Sequence, residues 1–408
     1  MSRSQLTKER DLREFRPVWL DSPRISVRTR NTASLQKYDV IIIGAGISGA
    51  LVAHAVAQSG KSVLIIDKGD PVRGSSIAST AMIQHEIDVP LHQLQKMIGK
   101  ADARRVWQRS AQAVLRLEEI VKSLDISCSM RRKKALYLAG NDYGSRALKM
   151  EAEARAEAGI DAKYLDAREL RECFDVDRTG AILSNISASA NPGQLTAGLL
   201  RHLARRKVEI VSGVEVTDMK VFSDEVVLAT GSGKLLIANH AVFCTGYEFL
   251  KVLESKRHEI ISTWALASDV GVRIPDWLHD HIVWEASDPY LYLRTDQPGR
   301  LIAGGEDEHD PLAFQDGKRL QAKTDSIRIK LAELLNVDIG QPAYRWAAAF
   351  GSTTTGLPLI GSVPGHANVY SVMGFGGNGI TFSQIAADIV AAAINGVKDP
   401  DSHLFDIA

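Results

Sequence analysis

One βαβ unit, residues 38–67, limits what this 408-residue chain can fold into more than any other stretch of it. An apolar strand (Val40, Ile41, Ile42, Ile43) runs into Gly44-Ala45-Gly46-Ile47-Ser48-Gly49, a helix of small residues follows, and a second strand (Val63, Leu64, Ile65, Ile66) ends on Asp67. Each part has a physical task. Gly44 permits the tight turn, Gly46 lets the backbone approach a pyrophosphate, and Gly49 lets helix and strand pack closely. The helix beginning at Ile47 and Ser48 offers unpaired N–H groups and the positive end of its dipole to phosphates. Asp67 falls about 20 residues beyond the glycines, where a carboxylate accepts hydrogen bonds from a ribose. A lone G-x-G-x-x-G is weak evidence, but with both strands, the helix and the acid in place the unit points to a bound dinucleotide.

The rest of the composition narrows the partners. Lys+Arg and Asp+Glu each number 49, so no net field draws nucleic acid or an anionic membrane, and neither is expected as a partner. With 45% hydrophobic residues the chain can fill a sizeable core. Cys128, Cys173 and Cys244 lack C-x-x-C spacing and read as buried thiols of a reducing, cytoplasmic compartment, with no metal site expected. The apolar run at residues 40–57 is broken by glycines, a serine and a histidine, so no transmembrane segment is expected. The first 36 residues are basic, carry Pro17 and Pro23 and lack an apolar signal core; they read as a solvated arm that packs through Phe15, Val18, Trp19 and Leu20.

Along the chain, residues 73–80 are rich in small hydroxyl side chains and too irregular for a simple strand or helix. Apolar residues three and four apart predict a helix over 91–124, and a strand at 135–139 and a helix at 144–158 follow. Asn191-Pro192-Gly193 opens a helix over 195–205, before strands at 208–211, 226–229, 235–237 and 241–244. Strands at 260–267, 282–286, 290–294 and 301–303 suggest an antiparallel sheet. A helix at 320–335, a strand at 369–372, a glycine loop at 374–379 and an alanine-rich helix at 380–394 complete the pattern. Period-two geometry puts Tyr290, Tyr292 and Arg294 on one face of a strand. The run Glu306, Asp307, Glu308, His309, Asp310 reads as a solvated loop.

Four segments, taken in order, carry a resemblance. They are the βαβ unit, the hydroxyl-rich loop at 73–80, the strand ending Phe243-Cys244-Thr245-Gly246, and the stretch from Gly356-Leu357-Pro358 to Gly374-Phe375-Gly376-Gly377-Asn378-Gly379. Together they resemble the FAD-dependent oxidoreductases of the D-amino-acid oxidase type, which include glycine and sarcosine oxidases and D-amino-acid dehydrogenases. A plain NAD dehydrogenase accounts for only the first segment. The resemblance implies an α/β fold: a discontinuous Rossmann-like FAD-binding domain (37–90, 165–250, 340–408) with an inserted antiparallel-sheet substrate or cap domain (91–164, 251–339), behind an arm at 1–36.

Residue by residue, the resemblance implies that Gly44, Gly46, Ile47, Ser48 and Gly49 face the FAD pyrophosphate and that Asp67, with Lys68 beside it, meets the adenosine ribose. Ser75, Ser76, Ser79, Thr80 and Ala81 would line the path to the flavin, Val214 would meet the adenine, and Thr245 and Gly246 would form the turn beneath the cofactor. Gly376, Gly377, Asn378, Gly379, Ile380 and Thr381 would aim backbone N–H groups at the flavin's pyrimidine end, where charge accumulates on reduction.

The implied reaction is hydride transfer to flavin N5 from the carbon of a C–N bond in a small amine or amino acid, with electrons passing to O2 or a redox partner. Oxidation of a C–OH bond in a hydroxy acid or polyol phosphate, and a non-catalytic flavin-binding subunit, are the alternatives. Departures from the family pattern shape the catalytic candidates. Phe350 stands where a substrate-binding arginine is common, Thr355 precedes Gly356, and Ala81 stands where sarcosine-oxidase relatives carry a basic residue. Arg294 or Arg345 would have to supply a carboxylate clamp. Tyr292, Arg294, Gln84 and His85 are the candidates. Ser352-Thr353-Thr354-Thr355 offers no cysteine for a covalent flavin link, so dissociable FAD is expected.

Overall fold

Strands buried on both faces are unbroken apolar runs, and residues 40–43 of strand Lys37–Ile43, together with Val63–Ile66, meet that description at the centre of a parallel sheet. The structure, a computed structural model, describes residues 6–254 and 257–407. In it Leu359–Ser362, Val369–Met373, Leu235–Phe243, Lys37–Ile43, Val63–Ile66 and Glu209–Val211 lie side by side in that order. All of these pairings are parallel except that of Leu359–Ser362 with Val369–Met373.

The crossover helix Ile47–Ala57 is buried over most of its circumference because helices Gly379–Ile394 and Pro192–Arg205 pack against it. Ser48 Oγ and Ser383 Oγ hydrogen-bond at 2.8 Å between two of these helices. The fingerprint glycines are a steric requirement of this packing. A Cβ on Gly49 would lie 1.9 Å from the Gly44 carbonyl oxygen, and one on Gly44, whose φ is +114°, would lie 2.2 Å from the Cys244 carbonyl oxygen.

A second, ten-stranded sheet begins with Arg13–Phe15, continues through Tyr344–Thr353, His258–Ala267, Leu301–Glu308, Leu291–Thr295, His281–Ala286, Arg131–Ala139 and Gly180–Ser189, and ends with Met82–Gln84. Lys163–Asp166 pairs with Gly180–Ser189 off this path. Helix Gly317–Leu335 covers part of it, burying Leu320, Ile327, Leu331, Leu334 and Leu335. The α/β class and the two-sheet division agree with the sequence reading.

Several details differ from it. The sheet is mixed, since His281–Ala286 runs parallel to Arg131–Ala139. Strands Gly180–Ser189 and Tyr344–Thr353, expected in the nucleotide-binding unit, belong to the larger sheet. The helix expected over 91–124 breaks at Gly99 into Leu91–Ile98 and Lys100–Ser123. The two strands expected at 235–237 and 241–244 are one, Leu235–Phe243, and the irregular 73–80 segment holds a short helix, Ser75–Ala78. The run 306–310 is largely a strand continuation rather than a solvated loop, because Leu301–Glu308 extends through it and buries Glu306. Cys173 is exposed, while Cys128 and Cys244 are buried.

The arm is not a solvated appendage. Arg13–Phe15 adds a strand to the larger sheet, Lys8 N donates to Phe249 O at 2.9 Å, and Trp19 Nε1 donates to Ser79 O at 2.8 Å. Val18 and Trp19 are buried as expected, but Phe15 is 40% exposed, since strand pairing turns it away from the core. Among the described residues, no helix is long and apolar enough to cross a membrane.

Candidate active site

A cavity of about 600 Å3 is lined from both sheets. At one end the strand Val63–Ile66 delivers Asp67, whose carboxylate accepts from Ala45 N at 2.7 Å and from Gly69 N at 2.9 Å. Burial pushes this carboxyl upward, against those two bonds. Val214 N donates to the Asp67 carbonyl at 3.0 Å, and Lys68 Nζ lies 2.6 Å from Glu248 Oε1. Val214 and Lys68 both line the cavity.

In the middle, Gly44, Gly46, Ile47 and Ser48 present the start of the crossover helix. Ile47 N donates to Ser76 Oγ at 2.9 Å, so the hydroxyl loop closes over the helix terminus. Ser75, Ser79, Thr80, Thr245 and Gly246 continue the wall. Ser75 Oγ is buried with no hydrogen-bond partner among the described residues, a condition that a polar ligand in the cavity would relieve.

At the far end Gln84, Thr263, Trp284, Tyr290, Tyr292 and Phe350 line the space, with the loop Gly376, Gly377, Asn378, Gly379 and Ile380 along one side. An extended segment clamps that loop at alternate residues. Thr381 Oγ1 donates to Gln84 O at 2.9 Å, Asn378 Nδ2 donates to Glu86 O, and Gly377 N donates to Asp88 Oδ2 at 2.9 Å. Burial drives the Asp88 carboxyl upward despite the Gly377 bond. Tyr290 Oη donates to Asp307 Oδ2 at 2.9 Å, and its ring lies 5.7 Å from that of Tyr292. Burial pushes the Asp307 carboxyl up to about 6, opposed by the Thr263 and Tyr290 hydroxyls.

Five sequence candidates stand outside the lining. Gly49, Ala81 and Thr381 lie behind it, serving helix packing, the turn after Ser79 and the clamp on Gln84. His85, just beyond the end of strand Met82–Gln84, is wholly buried, with Nδ1 2.8 Å from Ile186 O and its ring edge-on to Trp107, and does not line the cavity. It adjoins a buried charge network in which Arg155 Nε lies 2.7 Å from Glu151 Oε1 and Arg155 Nη1 lies 3.4 Å from Glu86 Oε1. Glu151 also accepts from His92; burial alone would raise its carboxyl, but Arg155 and His92 outweigh it and hold it at about 2.

Arg294 is the clearest correction. It shares a strand face with the two tyrosines, but its guanidinium donates to Thr80 O at 2.6 Å, Ala190 O at 2.9 Å and Thr295 O at 3.1 Å. Of these carbonyls only that of Thr80 belongs to a residue lining the cavity, and Arg294 itself does not line it, so the side chain ties the hydroxyl loop to the segments at Ala190 and Thr295. Arg345, the other proposed clamp, bonds Gln341 at 2.9 Å and also does not line the cavity. Sequence reasoning passed over Arg10, Leu12 and Arg13 of the arm, together with Asp88, Thr263, Trp284 and Glu248, all of which do. Alternation of Gln84, Glu86 and Asp88 in an extended run was the one local signal available for Asp88.

The family model described as FAD dependent oxidoreductase matches residues 39–393, nearly the whole length over which the cavity is built. The chain belongs to that family. Among its relatives, a probable oxidoreductase, OrdL, of Haemophilus influenzae is 22% identical, the match covering 93% of this chain and 88% of the relative. A glycine oxidase of Pseudomonas putida is 23% identical over 88% of this chain and 95% of its own length. The crystal structure of glycine oxidase from Geobacillus kaustophilus superposes with a TM-score of 0.74 and 20% identity, covering 92% of this chain and 98% of that one. This FAD dependent oxidoreductase has the means to hold its cofactor: a glycine turn that a side chain would close, helix N–H groups beside it, an orphaned serine hydroxyl, and a carboxylate at the nucleotide end.

Proposed function

We propose that this enzyme oxidises the C–N bond of an amine or amino acid by hydride transfer to FAD held without a covalent link, and that an amine lacking an α-carboxylate is the preferred donor. The names of its relatives support C–N chemistry. The preference rests on one observation: Arg294 and Arg345, the two arginines that the sequence offered as a carboxylate clamp, are bonded elsewhere and do not line the cavity, while Asp88 does. Among the described residues, Gln84, Thr263, Trp284, Tyr290, Tyr292 and Phe350 at the aromatic end carry no cation, so a carboxylate held there would bear the cost of desolvation.

Bound FAD supplies the hydride acceptor at N5. The chain's own residues prepare the donor. Trp284, Tyr290, Tyr292 and Phe350 exclude water and bring apolar surface against the donor's carbon chain. Tyr290, whose hydroxyl hydrogen is directed at Asp307, keeps a lone pair able to accept from an amine N–H. The backbone loop 376–380, held by Gln84, Glu86 and Asp88, is fixed in place before any charge develops near it. Gln84 lines the same end, and its amide can meet a polar substituent.

Product analysis under turnover with an artificial electron acceptor tests the reading. Release of ammonia or a smaller amine together with a carbonyl compound is expected. Release of a nitrogen-free keto acid as the only product would transfer the assignment to C–OH oxidation.

A further inference from the structure

The N-terminal segment crosses the cofactor cavity from end to end, although it precedes residue 39, where the family match begins. Thr7, Arg10, Asp11, Leu12 and Arg13 line the cavity together with the βαβ unit and the hydroxyl loop. At the adenosine end, Arg10 N donates to Glu248 Oε1 at 3.0 Å, the same oxygen that Lys68 Nζ meets at 2.6 Å. Over the middle, Arg13 Nε donates to Arg73 O at 3.0 Å, and the Leu12 side chain lies 3.1 Å from where a Cβ on Gly74 would stand. Towards the aromatic end, Ala349 N donates to Leu12 O at 3.1 Å, and Arg13, Glu14 and Phe15 pair with Ala348, Ala347 and Trp346.

Two arginines on this strap therefore line the cavity that also holds the start of the crossover helix, Arg10 on the side of Lys68 and Glu248 and Arg13 beside the hydroxyl loop. Arg10 Nε is buried and has no hydrogen-bond partner among the described residues. A guanidinium donor withdrawn from water without an acceptor is costly, and an anionic oxygen is the partner that suits it. Pyrophosphate is the anion that the neighbouring helix terminus and glycine turn are built to receive. Nothing in the substrate reading enters this reasoning.

We propose that Arg10 and Arg13 are cofactor-binding residues, contacting the phosphate-bearing middle of FAD, and that the strap carrying them must peel away before the cofactor leaves. The strap thus retains FAD without a covalent bond. Its antiparallel pairing and its bonds to Phe249 and Glu248 hold it down, and the phosphates complete the hold.

The test is the rate at which FAD leaves the holoenzyme on dilution, read from recovery of free-flavin fluorescence. The double variant Arg10→Gln with Arg13→Gln should release FAD roughly 10- to 100-fold faster than the unaltered enzyme, the loss expected from one or two charged hydrogen bonds. Arg16→Gln, which removes only the exposed pair with Asp21, should leave the rate unchanged. Trypsin gives a second reading on the unaltered chain in case the double variant does not fold: cleavage after Arg10 and Arg13 should be roughly tenfold slower in holoenzyme than in FAD-stripped protein, because a ligand that binds the closed form suppresses opening. Equal release rates for the double variant and the unaltered enzyme, or equal cleavage with and without FAD, would overturn the proposal. Neither reading depends on turnover, so failure of the C–N assignment would leave both intact.

Discussion

The two ends of the cavity are built by different means. The end proposed to hold the nucleotide consists of backbone and short local motifs: a glycine turn, a helix terminus, and a carboxylate at the tip of the next strand, all within residues 44–67. The aromatic end is assembled from side chains of strands far apart in sequence, including Gln84, Thr263, Trp284, Tyr292 and Phe350. A pyrophosphate site needs N–H groups and room, which the backbone supplies in any chain that can make the turn. Substrate recognition needs particular side chains at particular heights, which depend on sheet register and can change without disturbing the nucleotide end. The contrast explains why the family is plain at one end and the substrate has to be argued at the other.

The contrast is most severely tested at Gly49. Replacing it with valine forces a side chain into the Gly44 carbonyl, 1.9 Å from the first added atom, and should cost more than about 4 kcal/mol, so that folded, FAD-loaded protein is lost. Recovery of a yellow protein with an unchanged melting temperature would show that the turn is not the rigid element described.

Next in size are two buried charges that sequence patterning could mistake for, or leave beside, catalytic groups. Arg294→Gln should lower stability by about 3 kcal/mol, measured by denaturant unfolding, because buried carbonyls lose their donor. Its KM for a good substrate should move by less than about twofold, since no uniform binding to the donor is removed. A large rise in KM at constant stability would return Arg294 to the substrate. Glu151→Gln should cost about 3 kcal/mol by leaving Arg155 underpaired. The sign with pH follows from the carboxyl's fall from its usual 4.5 to about 2: its stabilising contribution is complete above 4.5 and is lost as pH falls toward 2. The variant should lack that portion of the acid sensitivity.

Smaller effects are expected from the tyrosine–carboxylate pair. Tyr290→Phe should raise KM for an amine by roughly tenfold while FAD content stays normal. For a cationic donor, KM should fall as pH rises through about 6, where Asp307 becomes charged, and Asp307→Asn should flatten that limb. A limb that persists in the variant would assign the titration to another group.

The βαβ unit and the cavity wall it builds were legible in the sequence because they follow from local spacing. Long apolar runs gave away the parallel strands, and the helix at Gly379–Ile394 carried its own signal. The strap at residues 7–15 looks solvated in the sequence because it is densely charged and sits in a basic arm that carries Pro17 and Pro23, whereas its pairing partner Trp346–Ala348 lies more than 300 residues away. Asp307 was hidden for a similar reason. A cluster of acids resembles a surface loop until the strand that buries its hydroxyl partners is placed beside it. Arg294 shows the reverse limit: alternation fixed its face correctly, but not how far along that face its long side chain would reach.

Anaerobic titration of the FAD-loaded enzyme with amines, N-methyl amino acids, D-amino acids and hydroxy acids, followed by loss of oxidised-flavin absorbance, is the most direct test of C–N oxidation at this cavity. Bleaching by an amine, strongest where no carboxylate adjoins the reacting carbon, is the predicted result. Bleaching by hydroxy acids alone, or by none of the panel, would contradict it.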